Sequence, residues 1–260
     1  MNPFVKNTLK RIINRTGHRL ARTRTDGLPL DFSDDDACLV ETVSPYTMTS
    51  PEAIRHLRDC VHYVSARGIP GAFVECGVWK GGSSMVAAIT FKELGDHRDV
   101  YLIDAFDLPI PPPMDLDTEH GGNRVFGGAT ETKPYWAAVT AKAVAGHMKL
   151  TAYPENHVHI VKGLIADVVP YRTPDSISVL RLDTDTYEST IHNLRHLYPR
   201  LSDGGILILD DYGSHAGIRQ AVSEYFNDPT TAPLIQRVDA SAGCIQKFKL
   251  VPSDLRDARC

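Results

Sequence analysis

Acidic residues cluster at two places where a short apolar run stops. Leu180-Arg181-Leu182-Asp183-Thr184-Asp185-Thr186-Tyr187-Glu188 and Ile208-Leu209-Asp210-Asp211-Tyr212-Gly213 each set carboxylates directly after a Leu/Ile-rich stretch. If those stretches are neighbouring strands, Asp183, Asp210 and Asp211 converge and raise one another's pKa until a cation neutralises them. An all-oxygen donor set favours Mg2+, with Ca2+ or Mn2+ as substitutes, over zinc. The competing reading is structural: acids that cap helices or pair with Arg181 or Arg219. That reading suits Asp185 or Glu188 better than the other three together.

A second group of residues suits an organic ligand. Val74-Glu75-Cys76-Gly77-Val78-Trp79-Lys80-Gly81-Gly82-Ser83-Ser84 reads as an apolar strand, a glycine-containing turn and a helix start. Gly77, Gly81 and Gly82 let the backbone approach a ligand closely, with free N–H groups at the helix start beside Ser83. The pattern is neither GxGxxG nor GxxxxGK[ST], so a dinucleotide or a P-loop phosphate is not supported, and an NAD-dependent oxidoreductase is a weak rival. A carboxylate at Glu75 would repel a pyrophosphate but could accept hydrogen bonds from the ammonium of an amino-acid-like ligand. Tyr101-Leu102-Ile103-Asp104 ends the next strand in an acid, the usual acceptor for ribose hydroxyls. Together the two motifs describe a nucleoside with an amino-acid tail, which is S-adenosylmethionine.

These groups need a scaffold that brings strand ends together. From about residue 71 the chain alternates strand-like runs (72–76, 100–104, 158–162, 178–183 and 206–210) with helical stretches (83–94, about 133–147, 190–201 and 216–226). Such alternation means βαβ units and a mostly parallel sheet, with ligands outside the C-terminal strand ends. Runs at 234–238 and 244–250 predict an antiparallel hairpin at the sheet edge. Ser50 and Pro51 predict a helix start ahead of the sheet, running to about residue 67. The interruption at 107–149 carries Pro109, Pro111–Pro113, paired glycines and Tyr135-Trp136, and predicts a lid or substrate-binding insertion.

Composition narrows the class further. With 42% hydrophobic and 23% charged residues, the 260-residue chain suits a domain with a sizeable core rather than disorder. Five scattered cysteines without a CxxC pair fit reduced thiols in the cytosol better than a disulfide framework or a zinc site. Residues 1–25 carry seven Lys or Arg and no acid, although the whole chain has net charge −4. The rest is therefore acidic, which disfavours a nucleic-acid partner. Val5, Leu9, Ile12, Ile13 and Leu20 recur at near-helical spacing in the basic segment. It reads as a helix packing on its own domain or on a second copy in a homodimer, with peripheral contact to an anionic membrane as the sharper alternative. No run reaches the roughly 20 apolar residues of a membrane span, and no secretory signal is read at the N-terminus.

At this point the motifs carry a resemblance. Glu75-Cys76-Gly77-Val78-Trp79-Lys80-Gly81-Gly82, the runs 182–190 and 197–205, and Asp210-Asp211-Tyr212-Gly213 resemble, in this order, the macrocin O-methyltransferase (TylF) family. Its members methylate sugar hydroxyls on macrolide and aminocoumarin antibiotics; catechol and caffeoyl-CoA O-methyltransferases are similar more distantly. The resemblance covers roughly residues 45–250. It implies a Rossmann-like class I methyltransferase fold, α/β, with a mostly parallel seven-stranded sheet and an antiparallel C-terminal edge. The expected domain division is 1–45 and 46–260. It also implies S-adenosylmethionine contacts by Glu75, Gly77, Ser83 and Asp104, with Met48 and Thr49 in a segment folding over the methionine moiety, and Mg2+ on Asp183, Asp210 and Asp211. After the second strand the family usually has Asp-Ser-Phe-Glu-Gly-Leu-Pro, whereas this chain has Asp104-Ala105-Phe106-Asp107-Leu108-Pro109, so acceptor identity does not carry over.

The expected chemistry is methyl transfer to a sugar or glycoside hydroxyl, with Asp183 as metal ligand and general base and Asp185 as competing base. His120, His147 and His215 are reserve bases. Tyr187, Tyr212, Tyr135, Trp136 and His215 are candidates to line the acceptor pocket, against core packing for each aromatic. The rivals are catechol-type methylation and a non-catalytic binding protein that retains the fold.

Overall fold

The computed structural model describes residues 24–119, 122–123, 125 and 139–247. The basic segment through Thr23, His120, Tyr135, Trp136 and Cys260 lie outside those residues. Two compact units divide between Leu39 and Val40, and the second holds the sheet. Helix α1, Asp34–Val43, opens with Asp34, Asp35 and Asp36 in its first turn.

Helix α2, Pro51–Ala66, starts as the Ser-Pro pair dictates: the Ala53 N–H donates to Ser50 Oγ at 3.1 Å. Its buried Ile54, Leu57, Cys60, Val61 and Val64 recur every three or four residues and turn one stripe onto the sheet side of the molecule. Strands β1 (Ala72–Cys76), β2 (Val100–Asp104), β3 (Val158–Lys162), β4 (Ile177–Leu182) and β5 (Leu201–Leu209) follow, all parallel where they pair. β6 (Gln236–Arg237) and β7 (Gly243–Gln246) close the edge antiparallel, in the order β3-β2-β1-β4-β5-β7-β6. Every residue of β1 and β4 is buried, as central strands covered on both faces require. Between the strands lie α3 (Gly82–Leu94), α4 (Ala141–Lys149), the short α5 (Ile165–Val168), α6 (Tyr187–Leu197) and α7 (Ala216–Tyr225).

The last nine residues of the 107–149 interruption form α4, which packs on α3 and β3. Boundaries around α6 and β5 differ from expectation. Helix α6 ends at Leu197 rather than 201, because Pro199 has no N–H to continue the ladder, and a 3-10 turn at Tyr198–Arg200 follows. It begins at Tyr187 rather than Thr190, because Thr186 caps it through the Ser189 N–H. Leu201 then opens β5, five residues ahead of the expected strand start. Among the described residues no helix is long and apolar enough to cross a membrane.

Candidate functional site

Register and the two-residue period of strands assemble the site. Glu75 of β1 pairs with Arg181 of β4, which pairs with Ile208 of β5. Two residues further on, Asp183 and Asp210 leave the strand ends on that same side. The ends are tied together, since the Asp183 N–H donates to the Cys76 carbonyl at 2.8 Å and the Asp210 N–H to Leu182 at 2.9 Å. Gly77 makes the approach possible: its φ is +85°, and a Cβ there would lie 1.7 Å from the Asp183 carbonyl oxygen.

A cleft of about 1430 Å³ opens over these ends. Tyr46–Ser50, Gly77–Trp79, Ser83 and Asp104 line one region of it; Asp183, Asp185, Asp210, Asp211 and His215 line another. Ile110–Met114 and Tyr187 line it from the insertion and the start of α6. The Asp104 carboxylate holds the glycine turn in place, accepting from Val78 N at 2.6 Å and Trp79 N at 3.0 Å through Oδ2, and from Phe106 N at 2.6 Å through Oδ1. Thr49 donates its N–H to Thr47 Oγ1 at 3.0 Å, which fixes the pre-sheet segment, while Met48 is 65% exposed beside the cleft. The N-terminus of α3 carries Ser83 and presents the positive end of the helix dipole to this region.

Arg181 is the buried floor of the site. Its Nη1 donates to Glu75 Oε1 at 2.7 Å and Asp183 Oδ2 at 2.8 Å, and its Nη2 donates to Thr49 Oγ1 at 3.2 Å and to Asp210 Oδ2. Glu75 is 1% exposed, with its other oxygen accepting from Ser84 Oγ. Glu75 lines the cleft with both oxygens held from within, which leaves a lone pair on each for a ligand's ammonium. Asp183 and Asp210 also pair with Arg181, the partner assigned in the sequence reading to Asp185 or Glu188. Each gives Arg181 one oxygen and keeps the other.

One guanidinium does not balance this set. Burial pushes Asp183 up to about 6, against the pull of Arg181 and with the added push of Asp211. Burial also raises Asp210 and Asp185 well above the usual carboxylate range, with neighbouring carboxylates adding to each. Burial works in the same direction on Asp211, but His215 and the hydroxyls of Ser241 and Ser214 hold it below its ordinary value. One oxygen from each of Asp183, Asp210 and Asp211 lies within 4.8 Å of the others, and Asp185, Asp211 and His215 form a second such group. A hard cation at the first trio would meet oxygen donors and relieve the repulsion that raises these pKa values.

The remaining candidates separate by position. Tyr187 lines the cleft, but its hydroxyl donates to Glu224 at 2.5 Å. Buried His215 contacts Ser214 Oγ at 2.9 Å and lies 3.5 Å from Asp211 Oδ1. Tyr212 is a correction: it packs against the core and beside Gly243 rather than on the cleft, because the chain turns at Asp211. His147 is another, since its Nδ1 meets the Lys80 carbonyl at 2.9 Å and its ring lies on Tyr46, away from the acids. Gly81 caps α3 in the left-handed conformation and does not itself line the cleft. Asp117, absent from the sequence-predicted site, is a fully buried carboxylate that accepts from Tyr187 N at 2.7 Å and Met114 N at 2.9 Å. Beside Asp115 in a Pro-rich stretch it looks like surface charge, and no local signal marks it.

Comparison with known proteins agrees with this geometry. The family model described as macrocin O-methyltransferase (TylF) matches residues 18–247. The 8-demethyl-8-(2,3-dimethoxy-alpha-L-rhamnosyl)-tetracenomycin-C 4'-O-methyltransferase of Streptomyces olivaceus is 34% identical over 187 residues, covering 69% of this chain and 67% of that protein. The mycinamicin III 3''-O-methyltransferase of Micromonospora griseorubida is 28% identical over 224 residues, covering 85% and 86%. The solved structure of the O-methyltransferase NovP superposes with a TM-score of 0.67 at 27% identity, covering 78% of this chain and 83% of that one.

Proposed function

This chain belongs to the macrocin O-methyltransferase family and is an S-adenosylmethionine-dependent O-methyltransferase, and from that premise we propose that it methylates a hydroxyl of a sugar or glycoside with the help of Mg2+. The observation that carries the reading is the convergence of Asp183, Asp210 and Asp211 in the same cleft as the Gly77 turn and Asp104. Two relatives named for O-methylating a rhamnosyl-tetracenomycin and mycinamicin III support a glycoside acceptor.

In this reading Asp104 accepts the ribose hydroxyls through lone pairs left over from its backbone contacts. The N-terminus of α3 faces the methionine carboxylate, and Met48 and Thr49 cover that end. Asp183, Asp210 and Asp211 would hold Mg2+, which would polarise the acceptor hydroxyl and lower its pKa. Arg181 orients Asp183 and Asp210 by fixing one oxygen of each. Asp183 takes the hydroxyl proton, with Asp185 and His215 as the neighbouring alternatives; a carboxylate can serve as base here because the metal would bring the alcohol's pKa down toward its own. The insertion acts as a lid over the acceptor, and the protein works in the cytoplasm as a homo-oligomer.

The test is mass spectrometry of candidate glycosides incubated with protein, S-adenosylmethionine and Mg2+, with an EDTA control. A mass gain of one methyl group that EDTA abolishes is expected. Full activity and metal binding in Asp210→Asn would overturn the metal assignment, and methylation of free catechols without any glycoside would overturn the acceptor class.

A further inference from the structure

The cysteines read as scattered along the sequence are not all scattered in space. Cys60 lies on α2 and Cys244 on β7, both buried, and His56 lies one turn before Cys60. Residues four apart share a helix face, so His56 and Cys60 point the same way. Cys244 pairs in register with Ile208 of β5, which turns it toward α2. One ligand atom from each of the three lies within 4.8 Å of the other two, and Cys60 Sγ is 3.4 Å from His56 Nε2.

We infer that His56, Cys60 and Cys244 form a second metal site, which takes a single thiophilic divalent ion of the Zn2+ type. With Zn–S near 2.3 Å and Zn–N near 2.0–2.1 Å, a tetrahedral centre sets its sulfur and nitrogen ligands roughly 3.6 Å apart. The 3.4 Å contact between Cys60 and His56 already has that spacing, and Cys244 has to close on them only from within 4.8 Å. Two thiolates and an imidazole select a soft ion, whereas the carboxylates of the cleft select a hard one, so the two sites do not compete for the same metal. Binding releases the two S–H protons to solvent as the thiolates form. The ion would clamp α2 to the sheet edge. A cavity of about 10 Å³ lies between His56 and the Arg181–Asp210 pair, so the clamp borders the floor of the methyltransferase site.

The test uses the full chain, reduced with a phosphine, in excess Mg2+ so that the carboxylates are saturated. Titration with Cd2+ is expected to produce a thiolate-to-metal charge-transfer band that saturates at one ion per chain. Cys60→Ser and Cys244→Ser should each abolish it. No band, or an undiminished band in both variants, overturns the site. Because a buried Cys→Ser variant can misfold, alkylation of the wild-type protein gives a second readout. Buried thiols label only through transient opening, so labelling is followed over time with buried Cys76 as reference: Zn2+ should slow Cys60 and Cys244 relative to Cys76, and Mg2+ should not. Equal labelling of Cys60 and Cys244 with and without Zn2+ overturns the proposal, and neither readout depends on methyl transfer.

Discussion

Arg181 Nη1 stands 2.7 Å from Glu75 Oε1 across neighbouring central strands, and both side chains are almost wholly buried. The pair is therefore part of the core as well as of the site. Arg181 is raised well above its ordinary value: burial works against its charge, but Asp183, Asp210 and Glu75 outweigh it. The same guanidinium that fills the floor of the cleft orients two of the three acids above it.

Removing that cation leaves buried carboxylates unpaired. Arg181→Ala is expected to cost about 3–5 kcal/mol, the range for breaking one partner of a buried ion pair. Glu75→Gln, which removes one of several negative charges and keeps the shape, is expected to cost less. Urea unfolding of the ligand-free proteins measures both. A loss below about 1 kcal/mol for Arg181→Ala would contradict the role assigned to it.

Stability should depend on pH through the same acids. Asp183 is raised from 3.8 to about 6, so the folded protein binds its proton more tightly than the unfolded chain does. This term favours folding fully below about pH 3.8 and is lost as pH rises through about 6. In EDTA, Tm is expected to fall across that window, less steeply in Asp183→Asn; raised Asp185 and Asp210 keep part of the slope. Saturating Mg2+ is expected to oppose the fall, because it stabilises the ionised carboxylates. An identical slope in wild type and variant would show that Asp183 does not titrate in this way.

Much of this was legible in the sequence, and for physical reasons. Buried parallel strands read as short apolar runs, and the first acid after each run marks its C-terminal end; Asp104, Asp183 and Asp210 were found in that way. The helix start capped at Ser50 and the strand end at Gly77 were equally plain from capping, proline and glycine chemistry. Arg181 was visible as a partner, but its choice of acids depended on register: only the pairing of Glu75 with Arg181 puts the guanidinium under Asp183 and Asp210. Asp117 and the His56–Cys60–Cys244 group depend on contacts between distant segments, and nothing local in the chain announces them.

Close packing at the glycine turn offers a test of the cosubstrate end. A Cβ on Gly82 would lie 2.6 Å from Thr47 Cβ and 2.7 Å from the Tyr46 carbonyl oxygen. Gly82→Ala must therefore displace the segment that holds Met48 and Thr49. The expected result is a rise of about tenfold in KM for S-adenosylmethionine, roughly 1.4 kcal/mol of lost binding, with a smaller change in kcat. Calorimetry without acceptor reads the same loss directly. Unchanged affinity would mean that the 46–49 segment does not contact the cosubstrate.

Asp117 tests the acceptor end. Its two oxygens take the N–H of Met114 within the insertion and of Tyr187 at the start of α6, and the Ala216 N–H donates to the Thr118 carbonyl at 2.9 Å. The insertion is thereby pinned beside Asp185 and His215 by one carboxylate and one carbonyl. In Asp117→Ala both N–H groups lose a charged acceptor, at about 1–3 kcal/mol for each that stays buried. The insertion can release that cost by moving into solvent, so local opening is expected to exceed global destabilisation. Gly217→Ala should act alike from another element, since its Cβ would lie 2.0 Å from Asp117 Oδ1. Both variants are expected to keep wild-type affinity for S-adenosylmethionine, whose contacts are assigned to Met48, Thr49, the start of α3 and Asp104. Both should also be cut faster within residues 107–140 by limited proteolysis and show a raised KM for the acceptor glycoside. The opposite pattern, with cosubstrate affinity lost and proteolysis unchanged, would separate Asp117 from the insertion and make it a support for the fold alone.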